Sequence, residues 1–521
     1  MTTELARAGG VAAAVGLGLL LVATRRWQRL AGLGAWGLGA ILLAVYLAPH
    51  GHRSLLAAAA VVGLLLAAVG AWVFRRWPFV LPFVVLACVP ARIHVTVGST
   101  EANLLVPLYA VVAAAALLLG WELARDSGTH RVRELGIVTW PLGVFIGWTG
   151  LSMAWTEDVR QGSIDLLFFY LPFGLLALAL ARLAWRRFVV LGLLAELAAM
   201  AIVFAAVGFY QYETRDIFWN PKLGVSNAYA PFYRVNSVFW DPSIYGRFLV
   251  VAILACLVAV LFARDRRVLL GGAAAIAAIW AGLYFSYSQS SFAALAVGVV
   301  MAAMFAWGRR GVALAVVAAL VFTAGALAVP RVRHDLFGNG AGSKSTTSGR
   351  GKLVRKGLHI AVHHPVAGVG VGGFKHAYAE LTSLKGKEPN AAASHTTPVT
   401  VAAETGVPGF ALYAWLLVSA LAVAFRRFAR DLPGLAALAF GLIVAAVAVH
   451  SLFYNAFFED PTVWAAIGLA AALPRRRGDE RPDAPQLDRQ VEPERQQHQR
   501  VDGAQRERAR ERDVEPLPER R

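Results

Sequence analysis

Cysteine is nearly absent: Cys88 and Cys256 are the only two in 521 residues, and both lie inside apolar runs. That excludes a disulfide framework and a cysteine-ligated metal site, and both residues read as fillers of lipid-facing or core positions. Charge is also scarce, at 16% Asp, Glu, Lys and Arg, and acid is the scarcer sign, with 32 Asp and Glu against 50 Lys and Arg. There is no HExxH spacing and no Asp-x-Asp in the stretches read below as external, so no metal and no cofactor is expected and any chemistry should be metal-independent. No segment alternates apolar and polar residues over strand length, which excludes a β-barrel. No internal repeat is visible. The first apolar run has no basic region before it, and Thr24 is followed by Arg25 and Arg26 rather than a small-residue cleavage site, so no cleavable signal peptide is expected.

What the chain has in abundance is apolar length. Hydrophobic residues make up 58% of it, mean hydropathy is +0.56, and runs of roughly 18 to 22 apolar residues recur. The expected fold is all-α, a polytopic integral membrane protein of about 12 to 15 transmembrane helices with one long extracytoplasmic loop. The spans fall near residues 9–24, 30–48, 54–74, 78–91, 102–122, 136–155, 163–184, 188–207, 243–263, 268–287, 289–308, 311–329, 398–425, 435–455 and 461–473. The net charge of +18 would suggest nucleic acid in a soluble chain. Here the arginines punctuate the apolar runs, at 25, 26 and 29, at 75 and 76, at 182, 186 and 187, at 264, 266 and 267, and at 426, 427 and 430, so no nucleic-acid partner is expected. Every second connection is basic, which by the positive-inside rule places the N-terminus and the 330–397 loop outside and the C-terminus inside. The tail after residue 474 is Arg, Glu, Gln, Asp and Pro with almost nothing apolar, and reads as a disordered cytoplasmic segment.

Four polar stretches converge on the external side. Gly208 to Pro242 is rich in Tyr, Phe and Trp and contains Arg215, Arg234 and Asp241; it reads either as an interfacial aromatic belt or as a platform for sugar rings and an anion. The turn SYSQSS (Ser286 to Ser291) either satisfies backbone groups between two spans or sets Gln289 at the mouth of a cavity. SGRGKLVRKGLHIAVHHPVAGVGVGGF (Ser348 to Phe374) places Arg350, Lys352, Arg355 and Lys356 ahead of a flexible, backbone-exposing glycine turn. Guanidinium forks and glycine amides both suit phosphate oxygens, although GVGVGG lacks the strand, lysine and serine of a P-loop, and an ordinary surface helix ending in a glycine turn fits it equally. Finally, SHTTPVTVAAETGVPGF (Ser394 to Phe410) sets His395 just before a returning span and Glu404 within it, and an ionisable group inside a span is a functional candidate by default.

SYSQSSFAALAVG (Ser286 to Gly298), the glycine-rich segment and SHTTPVTVAAETGVPGF together resemble the O-antigen ligase and O-antigen polymerase superfamily of bacterial envelope proteins. The resemblance covers roughly residues 135–473, including RVNSVFWDPSIYGRF (Arg234 to Phe248), and sets apart 1–134 as N-terminal transmembrane helices and 474–521 as the tail. It implies a multi-pass protein of the bacterial cytoplasmic membrane that moves a glycan from a polyprenyl pyrophosphate carrier to an acceptor hydroxyl on the outer face. The partners are then the lipid-linked donor, a glycan, lipid or protein acceptor, and membrane lipids. Carried over by position, Arg350 matches the family's external arginine and His395 its catalytic histidine. Two departures stand out: Gln289 occupies the place of an arginine in the Ser-Arg-Gly turn, and Thr396 replaces an asparagine. The expected catalytic residues are His395 and Glu404, with Arg350, Arg234, Gln289, Lys352 and Arg355 binding substrate. Ligase and polymerase are not separated by these residues. A peptidoglycan polymerase of the shape and division type shares the carrier but not the motifs. A transporter would call for midplane ionisable groups and repeats, and a non-catalytic envelope scaffold would tolerate Gln289.

Overall fold

A computed structural model of the chain describes residues 2–48, 53–97, 100–125, 133–229, 232–314, 316–317, 350–382 and 394–474. Most of the span expected at 311–329, the loop up to residue 349 and the tail after Pro474 lie outside the described residues.

Backbone N–H and C=O groups in hydrocarbon must be satisfied within their own segment, so the apolar runs fold as helices. In chain order these are α1 (Thr3–Val22), α2 (Arg26–Leu47), α3 (Arg53–Arg76), the short α4 (Val80–Cys88), α5 (Val106–Arg125), α6 (Thr139–Leu151) and α7 (Val159–Asp165). α7 continues through a wider π turn at Leu166–Tyr170 into α8 (Leu171–Ala181). Then come α9 (Arg187–Thr214), α10 (Pro221–Tyr229), α11 (Pro242–Leu261), α12 (Arg266–Ser286) and α13 (Gln289–Trp307). The long polar stretch supplies α14 (Arg350–His363) and α15 (Phe374–Thr382), followed by α16 (Thr397–Phe425), α17 (Leu432–His450) and α18 (Pro461–Ala472). Among the described residues, eleven helical stretches are long and apolar enough to cross a membrane. The chain is an all-α polytopic membrane protein.

One small element departs from that reading. β1 (Ile93–Val97) and β2 (Thr100–Leu104) pair antiparallel, with Ile93 opposite Leu104 and Val97 opposite Thr100. The run expected as a span from residue 102 therefore begins as strand and turns helical only at Val106. Ile-His-Val-Thr-Val is rich in β-branched residues, and two residues separate the strands, the spacing of a hairpin.

Helix starts are marked by aspartates. The carboxylates of Asp241, Asp265, Asp431 and Asp460 accept from the backbone N–H groups of Ser243 at 2.6 Å and of Arg267, Gly434 and Thr462 at 2.8 Å. Each such cap contributes about 1 kcal/mol. Close approach of helices rests on small residues. A Cβ on Gly16 would come within 2.6 Å of Trp36 N, and one on Gly18 within 2.9 Å of Gly143 O, so α1 lies tight against α2 and α6.

α11 is buried at nearly every position from Pro242 to Val258. Its one charge, Arg247, is 3% exposed, and its Nε lies 2.5 Å from Oδ2 of Asp460, itself 5% exposed. This pair locks α11 to the start of α18. At the other end of the bundle Glu134 accepts from Arg29 at 2.8 Å and from Arg182 at 2.6 Å. Removing one partner of a buried pair strands the other charge, a loss of about 3–5 kcal/mol. Arg247→Met should therefore lower the melting temperature of the detergent-solubilised protein sharply, and Arg247→Met with Asp460→Leu should recover much of the loss. Thermal unfolding of the single and double variants checks this.

Candidate active site

The turn between α12 and α13 is built to satisfy its own polar groups. Tyr287 takes a left-handed conformation at φ 46°, and Ser288 caps α13 by accepting from Ser291 N at 3.4 Å. Ser288 Oγ also lies 3.2 Å from Ser290 Oγ and 2.8 Å from Ser291 Oγ. Gln289 is the exposed residue between them. Arg234 is brought to this turn by backbone and side chain together: Val235 N donates to Phe285 O and Arg234 Nε to Ser286 O, both at 3.2 Å. The Asn227 amide brackets Arg234, donating to its carbonyl at 2.8 Å and accepting from its N–H at 3.1 Å. Farther along the loop, Gln211 holds Ser237 at both its N–H and its carbonyl, at 2.7 and 3.0 Å.

A second polar turn meets the first. His450, fully buried at the end of α17, places Nε2 3.0 Å from Ser290 Oγ. Its neighbour Ser451 accepts from Thr397 N at 2.9 Å, and Thr397 Oγ1 accepts from Phe457 N at 3.4 Å. Thr397 opens α16 two residues after His395. His395 is half-buried and left-handed, at φ 62°, a conformation that costs a non-glycine residue about 1–3 kcal/mol and clusters at functional sites. Its neighbours hold it there: Ser394 Oγ lies 2.9 Å from both Thr396 O and Thr400 Oγ1.

The glycine-rich segment is packed rather than flexible. Gly368, Gly370, Gly372 and Gly373 are all buried, and the first three have positive φ. A Cβ on Gly370 would come within 2.5 Å of Thr156 Cα, and one on Gly372 would overlap Gly162 N. The turn wraps the middle of α16. Val369 N donates to Ala403 O at 2.9 Å and Gly370 N to Glu404 O at 2.8 Å, while the N–H groups of Gly372 and Phe374 donate to the Glu404 carboxylate. The Gly372 amide is thus turned inward to Glu404, and the turn is packed against the protein rather than flexible and backbone-exposing. α16 breaks at Gly406, φ 70°. The freed groups find partners in Trp148 Nε1, which donates to Thr405 O at 2.9 Å, and in Pro365 O, which accepts from Val407 N at 2.7 Å.

Behind this turn Asp165, Glu404 and Glu459 line an enclosed cavity of about 80 Å³ with Gln161, Thr397 and Thr400. That is far below the ~300 Å³ of a small-molecule site, so it does not hold a sugar. Burial pushes the Glu459 carboxyl up to about 7; the guanidinium groups of Arg92 and Arg247 oppose the shift, and Asp460 adds to it.

Of the residues expected at the site, Arg234, Gln289 and His395 lie along one path of hydrogen-bonded segments. Arg350 opens α14, and its side chain lies outside the described residues. Two turns further on, a Cβ on Gly357 would come within 2.7 Å of Val399 Cγ1 and 3.2 Å of Ser394 Cβ, so α14 crosses beside His395. Lys352 and Arg355 are exposed on that helix. Glu404 lies seven residues past Thr397, about 10 Å down α16, and does not join His395. Sequence reasoning missed Asp165 and Glu459 and gave His450 no role. Among the described residues Glu157, His376 and Glu380 form the one group able to hold a metal ion. All three are exposed, and His376 Nε2 already pairs with the two carboxylates at 2.7 and 3.4 Å.

The class is thus a multi-pass membrane protein whose polar turns gather arginine, serine and histidine at one end of the bundle. Residues 274–414 match the family model described as O-Antigen ligase, a stretch that includes Gln289, Arg350, His395 and Glu404. The match covers about a quarter of the chain and supports the O-antigen ligase superfamily. No curated protein matches it.

Two measurements test the packing around Glu404 and Glu459. Gly370→Ala should cost about 2 kcal/mol or more through strain and overlap, whereas Gly351→Ala, whose Cβ meets nothing within 4 Å, should be neutral; melting curves of the two decide. A carboxyl raised from its ordinary 4.5 to about 7 on folding stabilises the fold fully below 4.5, and that contribution is lost as pH rises through 7. Thermal stability should fall between pH 5 and 8, and Glu459→Gln should flatten that fall.

Proposed function

We propose that the chain is a glycosyltransferase of the O-antigen ligase and polymerase type. It transfers a glycan from a polyprenyl pyrophosphate carrier to an acceptor hydroxyl on the outer face of the membrane, with the N-terminus outside and the C-terminus inside. The observation that supports this most is the path from Arg234 through the Ser286–Ser291 turn, His450, Ser451 and Thr397 to His395. It links a guanidinium, which suits pyrophosphate oxygens, through hydrogen-bonded segments to a histidine held in a strained conformation.

In this reading the acceptor oxygen forms a bond to the anomeric carbon as the bond from that carbon to the pyrophosphate oxygen breaks. His395 takes the hydroxyl proton as general base, and the departing pyrophosphate leaves on the prenyl chain, its charge offset by Arg234 and Arg350. Attack opposite the leaving group inverts the anomeric centre. No metal is required, because fixed cations can stabilise the departing anion. The exposed Lys352 and Arg355 serve the approach of the carrier, and Gln289 offers an amide at the mouth. Glu404, occupied by the amides of Gly372 and Phe374, shapes the loop that covers the site.

The test is transfer of a glycan from a synthetic prenyl pyrophosphate donor in proteoliposomes. His395→Ala should lower turnover by about 10²–10⁴-fold with insertion and melting temperature unchanged, Arg234→Ala should weaken donor binding, and Arg234→Lys should retain part of it. Full activity of His395→Ala would overturn the assignment, and a deletion strain that accumulates no lipid-linked glycan would overturn the reaction class.

A further inference from the structure

His450 stands in no expected role, yet its side chain bonds the Ser286–Ser291 turn to the end of α17. It is fully buried, and its ring reaches Ser290 Oγ across 160 positions of sequence at 3.0 Å. Ser290 is itself buried and bonded to Ser288, so an apolar side chain at 450 would leave that hydroxyl network short of a partner inside the bundle. On one side the same turn receives Arg234 through Ser286 O. On the other, the residue after His450 accepts from Thr397 N, at the start of the helix that follows His395. Two strained residues, Tyr287 and His395, flank this junction, so neither turn lies in a relaxed conformation that would hold its place unaided.

We infer that His450 is a positioning residue: its buried imidazole clamps the turn that receives Arg234 to the turn that presents His395, and so fixes the distance between donor and acceptor sides. This inference rests on the transfer reading for its catalytic consequence, but not for the clamp. The atom that matters is Nε2. Glutamine places an amide group near the position of Nε2, whereas asparagine places one near Nδ1, so His450→Gln should restore what His450→Asn does not.

The clamp is read by amide hydrogen exchange of residues 286–291 and 394–400 in the detergent-solubilised full chain. Exchange should quicken in both segments in His450→Phe, His450→Asn and Ser290→Ala, and stay near wild type in His450→Gln. In the transfer assay His450→Phe should lower kcat by about 10²-fold, the usual result of a misplacement near 1 Å, while KM for the prenyl pyrophosphate donor moves less than about threefold, because Arg234 remains. Combining His450→Phe with Ser290→Ala should cost no more than either alone, as expected for residues that act through one contact. Should His450→Phe fail to insert, the His450→Gln and His450→Asn pair and Ser290→Ala carry the test. Equal exchange in His450→Gln and His450→Asn, additive effects of His450→Phe and Ser290→Ala, or wild-type kcat in Ser290→Ala would each overturn the clamp. Loss of protection without any effect of His395→Ala on transfer would instead leave the clamp standing and overturn the transfer reading.

Discussion

The architecture around α16 depends on how a single carboxyl group is held. Glu404 sits inside α16, where a polar group out of water must find hydrogen-bond partners, and the N–H groups of Gly372 and Phe374 serve it. The chain can bring those amides in only by turning sharply, and the turn is possible because Gly368, Gly370 and Gly372 adopt positive φ where a side chain would overlap α16 or the Thr156–Gly162 segment. The break at Gly406 follows from the same crowding, since Gly406 lies against the carbonyls of Pro365 and Val366. Irregular backbone inside the bundle is tolerated where freed groups are taken up by protein, as Trp148 and Trp155 do by donating to Thr405 O and Ala367 O at 2.9 and 3.1 Å. α14 and α15 are thereby fixed to the bundle through Gly turn and kink, and α14 is carried past Ser394.

Much of this was legible in the sequence. Helices at 3–22, 187–214, 242–261 and 432–450 follow directly from apolar length, and the polar residues of the O-antigen ligase motifs marked out Arg234, the Ser286–Ser291 turn and His395 before any coordinates. Three-dimensional pairing was not legible. Nothing in the linear spacing links His450 to Ser290, or Trp148 to Thr405, because such contacts are set by how α6, α13, α16 and α17 pack, and apolar faces of Ala, Leu and Val do not specify a partner. The hairpin at 93–104 escaped for a related reason: a short apolar run has no period long enough to tell strand from helix. The glycine-rich turn is open to two readings in the sequence because glycine signals only that a side chain would not fit. Whether the excluded volume belongs to a ligand or to a neighbouring helix is decided by packing, here by Thr156 and Gly162.

The arrangement of charge adds a last constraint. The chain is strongly basic, yet the enclosed cavity beside α16 is lined by three carboxyl groups, Asp165, Glu404 and Glu459. An anionic donor bound near Arg234 would be repelled by carboxylates in the same space, and low dielectric would strengthen that repulsion. The Arg234 turn and the cavity are formed by different residues. The first turn of α16, with Thr397 bonded to Ser451 and Thr400 bonded to Ser394, follows the His395 turn and lines the cavity, and Arg247 and Arg92 act on Glu459. The backbone donors on Glu404 and the amide of Gln161, 2.9 Å from Asp165, offset the negative charge that remains. On the transfer reading, an anion at Arg234 and these acids have different neighbours, because Thr397 and Thr400 at the cavity have their hydroxyl groups bonded within the protein.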